Sequence, residues 1–319
     1  MGETSRDVGR PGEGEQPGAF PSPAGGIMLP GIYGRAMADM RETVEVLTAR
    51  PTLEGAGVRL RRAFGFAEVP RFDPFLLLDD FRGDRPEDYL AGFPWHPHRG
   101  METVTYMLEG RIEHGDSMGH AGTVEGGGVQ WMTAGSGILH QEMPRAVDGR
   151  MGGFQVWVNL PAAQKMMDPR YQEVAGDAIP VVHGDGATVR VVAGEHGGAH
   201  GPVTGIVAAP TFLDVALQPG AVFEHRTDRA LAAFAYVFSG TAAFGQGETA
   251  VGNAHVVRLG PGDRVRAEAG PDGARFLLIA GRPIDEPVAW RGPVVMNTDG
   301  ELREAFRELN EGTFVKKRG

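Results

Sequence analysis

The stretches His96-Pro97-His98 and His140-Gln141-Glu142 each set two metal-binding side chains two residues apart. On a β-strand, residues two apart point to the same face, so each pair can look into one barrel. Phe93-Pro94-Trp95 leads into the first pair, and the glycine turn Ala134-Gly135-Ser136-Gly137 feeds the second. Pro97 stiffens its pair and gives up an amide that an outward-facing position can spare. Two such pairs on neighbouring strands supply three neutral imidazoles and one carboxylate. That donor set suits a borderline divalent ion: Fe(II), Mn(II), Ni(II), Cu(II) or Zn(II). Zinc-like bonds are ~2.0–2.2 Å long. A six-coordinate ion would keep two positions for water, O2 or substrate. Glu102, four residues after His98, is a competing carboxylate. A structural role is equally open to it.

The remaining histidines read as solvated side chains rather than ligands. His114 and His120 fall in a polar loop, His183, His196 and His200 in glycine-rich connections, and His225 and His255 further along. Trp95, Trp131 and Trp157 either line a pocket above the metal or fill the core, and Met132 and Phe154 share that ambiguity. Alternating exposure on one strand accounts for Arg59-Leu60-Arg61-Arg62 without a partner. No stretch reads as a phosphate loop, a Ser-His-Asp set or a nucleotide fingerprint.

The elements that must position these side chains are mostly strands. The chain has 319 residues with 49 Gly and 23 Pro, a balance that favours short strands and tight turns. Alternation predicts strands at 43–50, 58–64, 103–108, 111–114, 128–133 and 153–158, with a buried strand from Phe75 to Phe81. Leu160 to Tyr171 has a proline start and helical spacing, which fits a short helix or helical turn. A second strand-rich block, about 188–281, echoes the first. Tyr106-Met107-Leu108-Glu109-Gly110 resembles Tyr236-Val237-Phe238-Ser239-Gly240, and Met132-Thr133-Ala134-Gly135 resembles Leu259-Gly260-Pro261-Gly262. The offsets, about 130 and 127, mark a duplicated domain. Thr298 and Glu301 have capping-box spacing ahead of a helix whose apolar face carries Leu302, Phe306 and Leu309.

Composition narrows the function classes. A formal charge of −10 argues against direct binding to nucleic acid or an anionic membrane. With no cysteine, disulfides, thiolate metal sites and thiol switches are all excluded, so a metal must be held by nitrogen and oxygen. No run of ~18 apolar residues appears, so no membrane span is expected. The first 20 residues lack the apolar centre of a secretory signal, which makes a cytoplasmic location the expectation.

At these residues the sequence resembles the pirin family of the cupin superfamily. The resemblance rests on Asp73 to Phe81, Phe93 to Tyr106, Val129 to Pro144 and Gly292 to Thr298, and it covers nearly everything after Met40. It implies an all-β fold of two tandem cupin barrels (double-stranded β-helix or jelly-roll), with few short helices and a C-terminal helix. The expected division is a disordered tail at 1–40, a metal-binding barrel at 41–185, a second barrel at 186–285 and a packed C-terminal tail at 286–319. The resemblance implies iron, Fe(II) foremost, held by His96, His98, His140 and Glu142. That choice prefers Glu142, although a generic cupin places its carboxylate where Glu102 stands. Carrying the larger offset into the second barrel puts Arg226, Asp228 and Ala232 at the places of His96, His98 and Glu102, with His225 one residue out of register. A metal-free second barrel is expected.

The family is associated with two kinds of activity. One is oxidation of flavonols such as quercetin by O2, with ring opening and loss of carbon monoxide. Here Glu142 would serve as ligand and base, or Glu102 would take the base role. The other is regulation through a protein partner, with the iron redox state reshaping the recognised surface. A monomer is expected, because each barrel buries one face against the other.

Overall fold

The structure, a computed structural model, describes residues 39–147, 149–247 and 249–317. The expected disordered tail therefore lies, up to residue 38, outside the described residues. Asp39 and Met40, also assigned to it, are tied down: the Asp39 amide donates to Asp263 Oδ1 at 2.7 Å, and Met40 bridges Arg264.

Strands dominate, in chain order β1 (Thr43–Thr48), β2 (Arg50–Glu54), β3 (Val58–Phe64), β4 (Phe75–Asp80), β5 (Phe93–His98) and β6 (Met101–Glu109). They continue as β7 (Arg111–Asp116), β8 (Ala121–Glu125), β9 (Val129–Thr133), β10 (Ile138–Arg145), β11 (Gly152–Asn159) and β12 (Arg170–Val174). The later strands are β13 (Val181–Gly184), β14 (Ala187–Ala193), β15 (Glu195–His196), β16 (Ala199–His200), β17 (Thr211–Leu217) and β18 (Val222–Arg226). Last come β19 (Ala232–Phe244), β20 (Val251–Gly252), β21 (His255–Leu259), β22 (Arg264–Gly281), β23 (Ala289–Arg291) and β24 (Val294–Met296), then helix α1 (Asp299–Asn310). The short helix or helical turn expected within 160–171 is a 3-10 turn at Ala162–Gln164, after which the chain straightens into β12 and pairs with β9.

Two sheets face each other in the first barrel, ordered β12-β9-β6-β11-β4-β3-β2 and β5-β10-β7-β8. The second barrel is one curled sheet along β1-β21-β19-β22-β17-β14-β13, with β18 added to β22 and β20 to β19. Strand pairing crosses the expected division at both ends. Strand β1, near the chain's start, pairs with β21 of the second sheet, and β13 pairs with β14 there.

The barrels meet through an apolar layer that includes Val104, Trp131 and Phe154 from the first and Phe212, Phe234 and Phe238 from the second. Inside that layer the duplicated tyrosines bond reciprocally. Tyr106 donates to Asp214 Oδ2 at 2.7 Å, and Tyr236 donates to Asp80 Oδ2 at 2.8 Å. Arg275 and Arg82 neutralise those carboxylates from two nitrogens each. Buried charge is tolerable here because each carboxylate is paired and hydrogen-bonded.

The register corrects the mapping of the repeat. Ile138 faces His98 across β10 and β5, and Val265 faces His225 across β22 and β18. His225 is therefore the counterpart of His98, and Phe223, Ala267 and Ala269 stand where His96, His140 and Glu142 stand. The larger offset failed at this end because eight positions separate His98 from Tyr106, but eleven separate His225 from Tyr236. Three extra residues follow β18. One ligand type survives of four.

Candidate metal centre

Strands β5 and β10 pair antiparallel with His140 opposite His96, then slip by one residue so that Glu142 lies opposite Phe93. Period-two alternation turns His96, His98, His140 and Glu142 to the barrel interior. The ligating nitrogens of His96, His98 and His140 lie within 4.8 Å of one another. His96 Nδ1 donates to the Pro94 carbonyl at 2.8 Å, which leaves its Nε2 a lone pair, 3.0 Å from His98 Nε2. His98 and His140 are buried, and His96 is half-buried.

Burial keeps the imidazoles of His98 and His140 neutral. Burial pushes His98 well below the usual imidazole value, reinforced by the charges of His140 and His96. Burial likewise lowers His140, to about 4. Both ring nitrogens of His140 and Nδ1 of His98 have no hydrogen-bond partner. Buried polar atoms are rarely left unpaired, and an imidazole orphaned at both nitrogens, within 4.8 Å of a nitrogen from each of two other histidines, fits a divalent cation.

Glu142 is buried at the edge of this cluster, its Oε2 4.0 Å from His140 Nε2. Thr105 donates to its Oε1 at 2.9 Å and Gln155 to its Oε2 at 3.1 Å. Trp157 Nε1 donates to the Gln155 amide oxygen at 3.0 Å, which fixes that amide with its NH2 toward Glu142. Glu102 belongs elsewhere. It shares a face of β6 with Val104 and Tyr106, away from Thr105, and accepts from Thr133 at 2.7 Å and Trp131 at 3.1 Å. Burial raises its carboxyl, opposed by those two bonds. Trp131 thus stands between the barrels and Trp95 is exposed, leaving Trp157, edge-on to His98 at 5.1 Å, as the tryptophan beside the cluster.

A cavity of about 550 Å³ opens onto His96, His98 and Gln155, walled by Phe66, Phe93, Trp157 and Trp290. Trp290 and Pro293 come from the C-terminal tail, which is locked against this barrel. Gly100, at φ +77°, sits where a Cβ would lie 1.9 Å from the Val295 carbonyl oxygen. Arg99, beside His98, donates to the Phe314 carbonyl at 2.7 Å and pairs with Glu308 at 2.8 Å. Thr105, Gln155 and Trp290 could not be placed at this site from sequence, since strand polarity alone does not reveal a cross-strand partner. A larger cleft of about 840 Å³ is lined by Asp80, Arg82 and Asn253, and the histidine cluster does not face it.

Two histidines read as solvated are not. His114 lies on β7 with its side chain 6 % exposed, 2.8 Å from Glu173. His225 is buried, its Nδ1 3.2 Å from that of His196.

Two jelly-roll barrels, one of them carrying converging histidines on adjacent strands, define a double cupin. Residues 57–158 match the family model described as Pirin, and residues 212–315 match the Pirin C-terminal cupin domain. The chain belongs to the pirin family. It is 49% identical over 277 residues to a pirin-like protein of Caulobacter vibrioides, covering 86% of this chain and 99% of that one. Human pirin is 43% identical, over 85% of this chain and 93% of its own length. The crystal structure of a quercetin 2,3-dioxygenase from Acinetobacter baumannii superposes with a TM-score of 0.79 at 32% identity, covering 86% of this chain and 98% of that one. No helix among the described residues is long and apolar enough to cross a membrane.

Proposed function

We propose that this protein is a metal-dependent dioxygenase of the quercetin 2,3-dioxygenase type, opening a flavonol-like ring with O2. The observation that carries the reading is the cluster of His96, His98 and His140, the last two buried and with unpartnered ring nitrogens, with Glu142 beside it and with His96 and His98 lining an aromatic-walled cavity. Its volume falls in the ~300–1,000 Å³ range of small-molecule sites. The name of the Acinetobacter structure agrees in kind. His96, His98, His140 and Glu142 would hold the ion, Fe(II) foremost. When bound, the ion supplies Lewis acidity toward a substrate hydroxyl and a route for electrons to O2.

The chain's own residues do the rest. Trp157 and Trp290, packed on each other at 5.8 Å, form one aromatic wall for a flat ring system to lie against and exclude water, which strengthens every polar contact inside. Glu142 accepts the hydroxyl proton of the substrate at a carboxylate oxygen. Thr105 and Gln155 hold that carboxylate in one orientation, so little reorganisation is needed when the proton arrives. Glu102 takes no part, because its carboxylate lies on the opposite face of β6 from Thr105, bonded to Trp131 and Thr133.

An oxygen electrode with iron-loaded protein and a panel of flavonols tests this directly. Oxygen uptake with carbon monoxide release, abolished in His98→Ala, is expected. Iron-loaded protein that consumes no O2 with any flavonol would overturn the reading and favour a regulator acting through a protein partner.

A further inference from the structure

One wall of the cavity is built from charge, on strands β2, β3 and β4 rather than on the histidine strands. Arg62 donates through Nε to Asp79 Oδ1 at 2.8 Å and through Nη2 to Oδ2 at 2.7 Å. Its Nη1 pairs with Glu54 Oε1 at 2.9 Å. All three side chains line the cavity. These contacts use three of the guanidinium's five N–H donors, and the group of three carries a net charge of −1. What it offers a ligand is acceptor oxygen, chiefly the second oxygen of the partly exposed Glu54.

This wall is rigidly placed. Glu54 ends β2, and the β2–β3 turn packs on the start of β5. Gly55, at φ +56°, lies so close that a Cβ there would meet the Gly92 carbonyl oxygen at 2.5 Å. Only glycine tolerates both that backbone conformation and that contact. The hairpin therefore presents Glu54 to the same cavity that His96 and His98 enter from β5.

We propose that the Glu54–Arg62–Asp79 wall selects the substrate: a neutral polyphenol whose remote ring carries hydroxyl donors, with ligands bearing a carboxylate on that ring rejected. The proposal rests on the dioxygenase reading for what happens at the metal end, but not for binding at this end. A phenol hydroxyl donating to an ionised carboxylate forms a charge-assisted bond, stronger than a neutral one. An anionic group there meets a wall of net negative charge, whose one cation is already paired with two carboxylates.

Binding without turnover tests it. Metal-loaded, full-length protein under argon is titrated calorimetrically with 3-hydroxyflavone, its 3′,4′-dihydroxy form and its 4′-carboxylate. The dihydroxy compound is expected to bind about tenfold more tightly than the parent, and the carboxylate about tenfold more weakly. Glu54→Gln keeps the shape of a partly exposed side chain while removing its charge, and should collapse both differences to about twofold. Equal affinities in the parent protein, or differences unchanged by Glu54→Gln, overturn the wall. Selective binding without oxygen uptake would keep the wall and remove the dioxygenase; uptake without selectivity would do the reverse.

Discussion

At the scale of single residues, the site separates into groups that hold, groups that react and groups that orient. His98 places a nitrogen in the cluster, so His98→Ala should drop metal content, read by plasma emission spectrometry, well below one ion per chain. Glu142→Gln keeps the contact with Thr105 but removes the base, and should cost roughly 10²- to 10⁴-fold in kcat. Thr105→Val tests orientation alone. Its 2.9 Å bond to Glu142 goes while the size of the side chain stays, and about a tenfold loss of turnover with near-normal metal content is expected. A Thr105→Val protein with unchanged kcat would show that the bond does not orient the base.

At the scale of elements, much of the fold could be read from alternation and spacing. The strand expected at Val58–Phe64 is β3 to the residue, and the capping box at Thr298 and Glu301 forms with both reciprocal bonds. Such features are local: the residues that specify them lie within a few positions of one another. Glu102 and His225 were harder. Which face of β6 meets the second barrel, and how long the connection after β18 is, are settled only when two distant strands pair. Burial of His225 gives a pH test. Its imidazole is lowered to about 4 by burial, with His196 adding to the effect. The unfolded chain then binds a proton that the folded one refuses, so stability falls as pH drops from about 6.5 to about 4. His225→Phe places a second aromatic next to Phe223 and removes that dependence. Urea midpoints compared across this window should favour the variant increasingly toward pH 4, by about 2 kcal/mol at the acid end.

At the scale of the molecule, the two barrels adhere through apolar packing and a reciprocal pair of tyrosine–aspartate bonds. Tyr106→Phe and Tyr236→Phe each leave a buried carboxylate one donor short, although its arginine remains. Each should cost about 1.5 kcal/mol in chemical denaturation, and near-equal losses are the signature of the repeat. The chain's path has one more consequence. The first described strand is donated to the far barrel, while the final segment returns to close the pocket of the near one. Neither half is self-sufficient: a gene cut near residue 205 would yield two fragments, each missing a piece that the other carries. Expressed apart they should aggregate, and expressed together they should recombine, which makes this a natural candidate for a split-protein reporter.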